Sequence, residues 1–426
     1  MNKPILTLIV CYSTVMTLFA QEYVQVAVGA GYSKQAYYRL SDDAVTQVAN
    51  ESWDLAFSTA GTIDVGISVN ESTTSVTGAP APELSLFLTS ATSFAETIDT
   101  SKFVKRLYND ETSWTEGGAL NVIADAENPF DFGWGLYNVS NHTLTGNRIF
   151  AVKLRNNTYK KFIIESFAGG AYNLKYANFD GSEEKTIAIK KGDFSGNPIA
   201  LFSFETGETL APLGAWDLMF GRYVTPLDDG AGNMLDYPVT GVLSGHNVEV
   251  AKAKGIDPQT VEYSAYLDSF QTKLDVIGYD WKSFSFTAGW VIPSDLAYFV
   301  KTADNRIYKL VFVDFEGSTT GISTFEKTNL GIISAVSTPN SNFTEASVFP
   351  NPRVNEATVA FTLKQNQNNL QLFIRDLTGR TLWNAQIAGN QGLNAIQLPA
   401  LNLPQGVYLL SIGNGKDFIT LKMMQQ

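Results

Sequence analysis

Histidine and cysteine, two of the commonest catalytic residue types, are scarce in this sequence. There are two histidines, His142 and His246, and one cysteine, Cys11. Two histidines so far apart in the chain leave few ways to form a Ser-His-Asp triad. The sequence also lacks the His-Glu-x-x-His, Gly-x-Ser-x-Gly, phosphate-loop and dinucleotide-binding motifs. It therefore predicts a protein that is not an enzyme.

Two groups of acidic residues remain as candidates for catalysis by paired carboxylates. One is Asp228 and Asp229 with Asp236, and the other is Asp125 with Asp131. Acidic residues in Gly-rich loops more often lie in solvated turns or weak Ca²⁺ sites than in catalytic pairs. We expect solvated turns at both places.

Length, composition and charge favour an all-β protein with more than one domain. At 426 residues the chain suits two or three domains, and 44% of its residues are hydrophobic, which is enough to build cores. Aromatic residues make up 12% and glycines number 34, which favours strands over helices. The net charge of -12 makes nucleic acid and anionic membrane surfaces poor partners, because both attract basic proteins.

The first 20 residues have the pattern of a signal peptide. Lys3 precedes an apolar run, and the segment ends with Ala20 before Gln21. The run is too short for a stable membrane span, and no other stretch is apolar enough for one. Removal of residues 1–20 would also remove Cys11. We therefore expect a secreted mature chain with no cysteine and no transmembrane segment.

Two stretches share the same alternation of large apolar residues, and we expect the rest of the chain to be organised around them. They are Trp53-Asp54-Leu55-Ala56-Phe57 and Trp216-Asp217-Leu218-Met219-Phe220. In each, a large apolar residue recurs at every second position, which predicts a strand with one face in a core. We expect Trp53 and Trp216 to be core residues that do not contact a ligand.

The flanks of these stretches repeat in the same order, which predicts a duplicated domain. Val26 and Ile187 are 161 positions apart, and Trp53 and Trp216 are 163 positions apart. We place the first copy at residues 21–185.

The second copy is placed at residues 186–336. Each copy has a predicted hairpin, around residues 155–157 in the first and around residues 304–305 in the second. The segment Lys102–Tyr108 of the first copy is predicted as a short helix.

The chain changes character after residue 336. Residues 337–345 have the composition of a linker, and residues 346–426 hold short alternating segments separated by turns. Regular short strands over about 80 residues predict a small β-sandwich. The predicted strands are Ala357–Leu363, Asn369–Asp376, Thr381–Ile387, Gly392–Leu398, Gly406–Ile412 and Asp417–Met423.

This tail resembles the C-terminal sorting domain of type IX secretion substrates. The resemblance rests on Phe349-Pro350-Asn351-Pro352, on Asp376-Leu377-Thr378-Gly379-Arg380, and on Leu403-Pro404-Gln405-Gly406-Val407-Tyr408-Leu409-Leu410 with Lys422. It implies export across the outer membrane of a Gram-negative bacterium by the type IX machinery, recognised through residues 346–426. In that family the domain is often cleaved, and the mature protein is attached to lipopolysaccharide on the outer cell surface.

The two copies resemble the HmuY family of secreted, all-β haem-binding proteins. The fold class implied is two tandem HmuY-like antiparallel β domains followed by the small C-terminal β-sandwich. The stretches that carry the resemblance are Trp53–Phe57 and Asn147–Lys153 in the first copy, and Trp216–Tyr223, Asp229–Gly232, Gly241–Gly245, Ala297–Leu310 and Gly321–Phe325 in the second.

The resemblance to HmuY implies haem as a cofactor, whose iron takes His, Met, Cys or Tyr as axial ligands. The best-known arrangement of the family is a His pair on loops of one domain. His142 lies in a loop comparable to one that carries a family ligand, whereas residues 284–295 of the second copy have neither His nor Met. His246 is the histidine of the second copy, and Met234 could pair with it. The candidate haem ligands are therefore His142, His246 and Met234, and no other metal site is predicted.

A second function stays open, that of a surface adhesin or carbohydrate-binding protein without haem. Trp134 and Trp290 lie near predicted loops and are candidates for stacking on sugars. Aromatic residues of strands are more often buried, however, where their area stabilises the core. The ligand is thus either a small molecule such as haem or a glycan.

Overall fold

The computed structural model describes residues 21–61, 64–74, 83–138, 140–332, 342–349, 351, 353, 356–376, 380–414 and 417–425. The chain forms two compact units, one ending at Ile332 and the other beginning at Ile333. The predicted signal peptide lies outside the described residues, as do positions 337–341 of the predicted linker. The last three linker positions belong to a strand. No helix in these ranges is long and apolar enough to cross a membrane.

The regular secondary structure of the first unit, in its described residues, is almost entirely β, so the predicted all-β class is confirmed. The strands are β1 (Gln21–Ala27), β2 (Lys34–Tyr38), β3 (Val45–Ala49), β4 (Leu55–Ser58), β5 (Ile67–Val69), β6 (Ser85–Thr89), β7 (Phe103–Leu107), β8 (Gly135–Asn138), β9 (Thr143–Gly146), β10 (Phe150–Lys153), β11 (Tyr159–Ala168), β12 (Ala171–Asn178), β13 (Lys185–Lys190), β14 (Ile199–Ser203), β15 (Glu208–Thr209), β16 (Leu218–Asp228), β17 (Met234–Ser244), β18 (Glu249–Lys254), β19 (Ser283–Ser285), β20 (Gly289–Val291), β21 (Leu296–Lys301), β22 (Arg306–Phe315) and β23 (Ile322–Ile332).

Helical structure in the described residues consists of short 3₁₀ segments, at Ala30–Tyr32, Thr100–Lys102, Lys191–Phe194, Tyr263–Ser269 and Gly317–Thr319. The prediction of a helix over Lys102–Tyr108 is wrong, because β7 occupies most of that range and pairs with β6. The ring of Phe103 stacks on Phe87 across the pair, with ring centroids 4.2 Å apart. Backbone pairing and this ring contact outweigh the local helical tendency.

Strands β4–β15 form a β-sandwich of two facing sheets, which we call the first sandwich. One has the order β15-β14-β4-β5, and the other has the order β13-β12-β11-β10-β6-β7 with the β8–β9 hairpin attached through β11. The core between them is aromatic and fully buried, with Phe57, Phe150, Phe162, Tyr172 and Phe202 among its members.

Strands β1–β3 and β16–β23 form the second sandwich, which has the same strand order. Its sheets are β17-β16-β2-β3 and β1-β23-β22-β21-β18, and β19–β20 forms a separate hairpin. Its core includes Tyr38, Phe220, Tyr298, Phe312 and Phe325. Strand for strand, β13-β12-β11-β10-β6 of the first sandwich corresponds to β1-β23-β22-β21-β18 of the second.

Equivalent hydrogen bonds fix the alignment of the two copies. The N–H of Val28 donates to Gly321 O at 3.1 Å, and the N–H of Lys191 donates to Gly170 O at 2.9 Å. Both glycines have positive φ, 69° and 76°, which an L side chain rarely adopts. This places Val26 opposite Ile189 in the alignment, so the predicted match of Val26 to Ile187 is wrong by two positions. The offset is then the same as that between Trp53 and Trp216.

The two sandwiches are not the two consecutive halves of the duplicated sequence. Strands β1–β3 complete the second sandwich, since β1 pairs with β23 and β2 with β16. Strands β13–β15 complete the first, since β13 pairs with β12 and β14 with β4. The boundary predicted between residues 185 and 186 therefore falls inside β13 and does not separate the two sandwiches. Each copy gives its first three strands to the sandwich of the other.

The two sandwiches pack together through the outer faces of sheets β15-β14-β4-β5 and β17-β16-β2-β3. We call this contact the seam, and its apolar centre contains Tyr37, Trp53, Leu201, Trp216 and Met219. The rings of Tyr37 and Trp216 meet at 5.1 Å. The predicted burial of both tryptophans is confirmed, but they lie in the seam. Strands β4 and β16 are thus buried on both faces, whereas the alternation predicted burial of one.

The second unit is a separate β-sandwich. Its strands are β24 (Phe343–Phe349), β25 (Ala357–Leu363), β26 (Gln367–Arg375), β27 (Thr381–Gly389), β28 (Gly392–Leu398), β29 (Gly406–Asn414) and β30 (Asp417–Gln425). They form sheets β24-β25-β28 and β27-β26-β29-β30 around one apolar core. Each of the six strands predicted here is confirmed to within two residues at either end. Positions 377–379 of the Asp-Leu-Thr-Gly-Arg motif lie outside the described residues.

Candidate functional site

The structure does not bring His246 and Met234 together. Met234 begins β17, and His246 follows its last residue, Ser244, by two positions. Because β17 is fully extended and paired along its whole length with β16, Met234 and Ser244 are about 33 Å apart. Two axial ligands must reach the same iron from its two sides. These two residues therefore cannot hold one haem together in this conformation.

His246 lies in the seam, where it links the two sandwiches. Its Nε2 is 3.3 Å from Asp64 Oδ2, and its ring stacks on Trp114 with centroids 5.8 Å apart. Burial would raise the pKa of Asp64, but its neighbours His246 and Thr115 and the N–H of Gly66 together outweigh burial and lower that pKa. The imidazole is almost fully covered by these neighbours, so a structural role fits its surroundings better than a ligand role.

His142 is exposed in the turn between β8 and β9. Its backbone has a positive φ of 57°, and its Nδ1 lies 2.7 Å from the hydroxyl oxygen of Tyr137. A partner on one ring nitrogen fixes the orientation of an imidazole and leaves the other nitrogen for a metal. No hydrogen bond to Nε2 is formed within the described residues. His142 could therefore serve as a single axial ligand.

The two acidic groups hold turns and hairpins. Asp228 Oδ1 accepts the N–H of Gly230 at 2.8 Å, and Asp229 Oδ1 accepts the N–H of Ala231 at 2.7 Å in the β16–β17 turn. Asp131 forms an ion pair with Arg148 at 2.7 Å. No group of three or more His, Cys, Asp or Glu that could hold a metal occurs in the part of the chain that the structure describes.

Of the two tryptophans considered for sugar stacking, only Trp290 is accessible. Trp134 is fully buried, and its Nε1–H donates to Val65 O at 3.1 Å. Trp290 is 36% exposed and lies in β20. Trp281, which like Trp134 immediately precedes a hairpin, is also buried.

The β19–β20 hairpin carries a cluster of exposed rings, and we call residues 283–291 the aromatic hairpin. Phe284 lies directly opposite Trp290 across the two strands, with ring centroids 5.3 Å apart. Phe286, in the turn, lies 5.7 Å from Phe284. Phe284 is 57% exposed and Phe286 is 100% exposed. The three rings form a continuous apolar surface open to solvent.

The base of the aromatic hairpin packs against the second sandwich. Trp290 packs edge-to-face on Phe315 of β22, with centroids 4.9 Å apart. Lys282 Nζ lies 4.3 Å from the ring centre of Trp281 and 4.6 Å from that of Phe315, and it donates to Thr240 O at 2.6 Å. Burial of Lys282 lowers its pKa to about 7. These contacts hold the base of the hairpin while its tip stays exposed.

Sequence reasoning missed Phe284 and Phe286 because it searched residues 284–295 only for iron ligands. A usable signal was present in Ser283-Phe284-Ser285-Phe286-Thr287-Ala288-Gly289-Trp290-Val291, where rings alternate with small residues around a glycine. That pattern indicates a short hairpin. Its flanking sequence does not show whether the rings face a core or the solvent.

One cavity of the first unit lies in the seam and is too small for haem or a sugar. It has a volume of about 40 Å³ and is bordered by Gln35, Trp53, Glu71, Trp114 and Tyr223. Small-molecule pockets usually have about 300 Å³ or more, whereas a single water needs only about 15 Å³. The cavity fits one or a few waters. We place the candidate contact surface on the aromatic hairpin because its three rings are exposed together.

Residues 347–426 match the family model of the secretion system C-terminal sorting domain. The tail is a sorting domain. This confirms the resemblance to type IX secretion substrates that the tail motifs indicated. The sorting domain marks the protein for export, and its site of action is therefore the cell surface or the surroundings of the cell.

Other comparisons add little beyond the sorting domain. A search of the curated proteins gave no match. Among solved structures, the crystal structure of dimeric latent PorU from Porphyromonas gingivalis aligns with 67% of this chain and 31% of that chain, with 11% sequence identity and a TM-score of 0.17. A TM-score this low carries no argument about fold or function. The resemblance of the two copies to the HmuY family stays a prediction.

Proposed function

We propose that this chain is a binding protein of the outer cell surface, delivered there by its sorting domain and contacting its ligand through the aromatic hairpin. The exposed cluster of Phe284, Phe286 and Trp290 carries the proposal. The largest contiguous apolar patch on a soluble monomeric protein is often a binding site. Burying one Phe side chain contributes about 1.5–3 kcal/mol, so these rings could supply most of a micromolar affinity.

The remaining parts of the proposal follow from the sorting domain and from the absence of catalytic motifs in the sequence. The type IX secretion machinery is the expected partner of residues 346–426, and attachment to lipopolysaccharide is the expected form of anchoring. We propose a role in binding and not in catalysis. Four of the acidic residues that sequence reasoning considered for catalysis, Asp125, Asp131, Asp228 and Asp229, are engaged in turns or an ion pair, which supports this choice.

Surface display can be tested on intact cells with a cysteine placed in the aromatic hairpin. The mature chain is expected to have no cysteine, so Thr287→Cys adds a single exposed thiol at the hairpin turn. A membrane-impermeant maleimide should label this variant on intact cells. The matched control is Ser244→Cys, whose side chain is fully buried in the seam and should stay unlabelled. Labelling of Thr287→Cys only after cell lysis would contradict surface display.

Haem binding through His142 is the second candidate, and the contact between Tyr137 and His142 favours it. The Tyr137 hydroxyl engages Nδ1 and so directs Nε2 outward, as an axial ligand requires. Bound haem would supply the iron, and His142 would hold it from one side. The buried position of His246 in the seam argues against a second ligand from that residue.

Titration of hemin into the purified, leader-free protein tests this candidate. If His142 is the ligand, the parent should give a Soret shift, His142→Ala should abolish it, and Tyr137→Phe should weaken the affinity by about tenfold through loss of orientation. His246→Ala serves as the control and should keep the shift. An unchanged Soret band in the parent, or an equal shift in His142→Ala, would remove the haem proposal.

A further inference from the structure

We infer that the aromatic hairpin binds a neutral, hexose-containing glycan. This inference rests on the proposed function and adds the class of ligand. It is carried by the arrangement of the three rings and by the charge around them.

The rings form a corner instead of a flat sheet. The planes of Phe284 and Trp290 meet at 68°, and those of Phe284 and Phe286 meet at 83°. A pyranose has apolar C–H faces and a polar rim of hydroxyl groups. One C–H face can stack on one ring while a ring at nearly right angles covers its side. Perpendicular contacts of this kind suit the small, thick pyranose ring. They suit haem less well, because a flat macrocycle needs two parallel walls.

The polar groups at the hairpin tip suit hydroxyl partners. Thr287 and Ala288 are exposed beside Phe286, and Ser283 is exposed at the start of β19. The hydroxyl oxygens of Ser285 and Thr287 are 3.1 Å apart and support the turn. A hydroxyl both donates and accepts, so it can match the hydroxyls of a sugar in either direction.

Charge selects a neutral ligand. Residues 283–291 contain no ionisable side chain, and the neighbouring Lys282 is buried with its Nζ bonded to Thr240 O. The whole chain has a net charge of -12, which repels anionic lipids, nucleic acids and acidic polysaccharides. A cationic ligand would find no carboxylate within the hairpin. A neutral glycan meets no electrostatic penalty at this surface.

The equivalent hairpin of the first sandwich offers an internal control. Among the described residues of β8–β9, the exposed apolar side chain is that of Leu136, and the nearby Tyr137 hydroxyl is engaged with His142. Residues 135–138 and 140–146 include no phenylalanine or tryptophan. Glycan binding should therefore depend on the second hairpin alone.

The test uses the leader-free full chain on an array of neutral and acidic glycans, followed by calorimetry with the strongest neutral binder. The parent should bind neutral hexose-containing glycans. Phe284→Ser/Phe286→Ser should lower the affinity at least tenfold, since it removes two of the three rings on which a sugar can stack. Leu136→Ser should bind as the parent does. Both phenylalanines are exposed, so equal thermal unfolding of all three proteins should confirm that folding is unaffected.

Several results would overturn the inference. One is a parent that binds no neutral glycan, and another is a double variant that keeps the parent's affinity. A third is a parent that sediments as a dimer and becomes a monomer in the double variant, because the hairpin would then be a self-association surface. Surface labelling at Thr287 is independent of these outcomes. A labelled hairpin without glycan binding would refute the ligand class and leave the proposed function standing.

Discussion

At the scale of single residues, the acidic residue of each Trp-Asp pair has the same structural role. Asp54 Oδ2 accepts the N–H of Phe204, and Asp217 Oδ2 accepts the N–H of Leu40, both at 2.7 Å. Each carboxylate thus caps the chain where it leaves the neighbouring strand. Burial raises the pKa of both carboxyls. A hydrogen bond that the sandwich needs is therefore made by a group whose charge is costly to bury.

Only in the first copy does an arginine of the β10–β11 turn form an ion pair with the buried carboxylate. Arg155 Nη1 donates to Asp54 Oδ1 at 2.6 Å, and its Nη2 donates to Trp53 O at 2.9 Å. In the second copy, Ala303 stands at the equivalent position of the β21–β22 turn, where it is exposed.

This difference predicts opposite effects of substitutions in the two copies. Arg155→Ala should lower the free energy of unfolding of the first unit by about 3 kcal/mol, because it leaves a buried carboxylate without its partner. Arg155→Met keeps the aliphatic stem and should lose nearly as much. Ala303→Arg should raise stability by up to about 1 kcal/mol by giving Asp217 a counter-ion at a partly exposed site. Urea unfolding measures all three, and a harmless Arg155→Met would show that the charge is unimportant.

Some residue roles could be predicted from sequence and others could not. The alternation around Trp53 and Trp216 predicted their burial correctly. It could not predict that Trp53 Nε1–H donates to Gln35 Oε1 at 2.9 Å across the seam, because the partner lies in the other sandwich. Ile199 takes the place of Gln35 in the other copy, and Trp216 Nε1 has no partner within the described residues.

At the scale of elements, the exchange of the first three strands between copies has a simple physical cause. Strand β13 follows β12 after a short turn, so its pairing is local and closes the first sandwich at once. Strand β1 must then pair with β23 at the far end of the first unit. Closing so long a loop costs more conformational entropy than closing a hairpin. The second sandwich therefore depends on residues 21–49 as a distant closing segment.

A chain cut between β3 and β4 tests this dependence. With a specific protease site between Glu51 and Ser52, the cleaved segment should stay bound in native gel filtration, held by seven residue pairs between β1 and β23. It should separate in urea at a midpoint that falls on dilution, since closure has become bimolecular. A matched cut between Leu213 and Gly214 should leave the first sandwich intact. Immediate release of residues 21–51 under native conditions would contradict the pairing.

The strands themselves were largely predictable, whereas their partners were not. Alternation placed β25 and β28 without error and the 155–157 hairpin correctly. The exchange of β1–β3 leaves no mark in the sequence, because self-closed and exchanged copies would bury the same faces of the same strands. The helix expected at 102–108 failed because pairing with β6, which local propensity ignores, determines that segment.

At the scale of the whole molecule, the sequence identifies how the protein is exported more clearly than which surface contacts a ligand. The sorting domain could be recognised because its short motifs follow one another in a specific order within about 80 residues. The aromatic hairpin could not be recognised as a surface feature, since the exposure of Phe286 depends on which strands cover the second sandwich. The sequence offered His246 and Met234 as a pair of axial haem ligands. The two residues lie at opposite ends of β17, so they do not form a paired site.

The central claim is that the sorting domain delivers an exposed aromatic hairpin to the outer surface. Labelling of Thr287→Cys on intact cells, compared between the full chain and the same chain ended at Ile332, tests it most directly. The account predicts labelling of the full chain alone, with the shortened chain reactive only after lysis. Equal labelling of both chains, or a full chain that stays unlabelled until lysis, would contradict it.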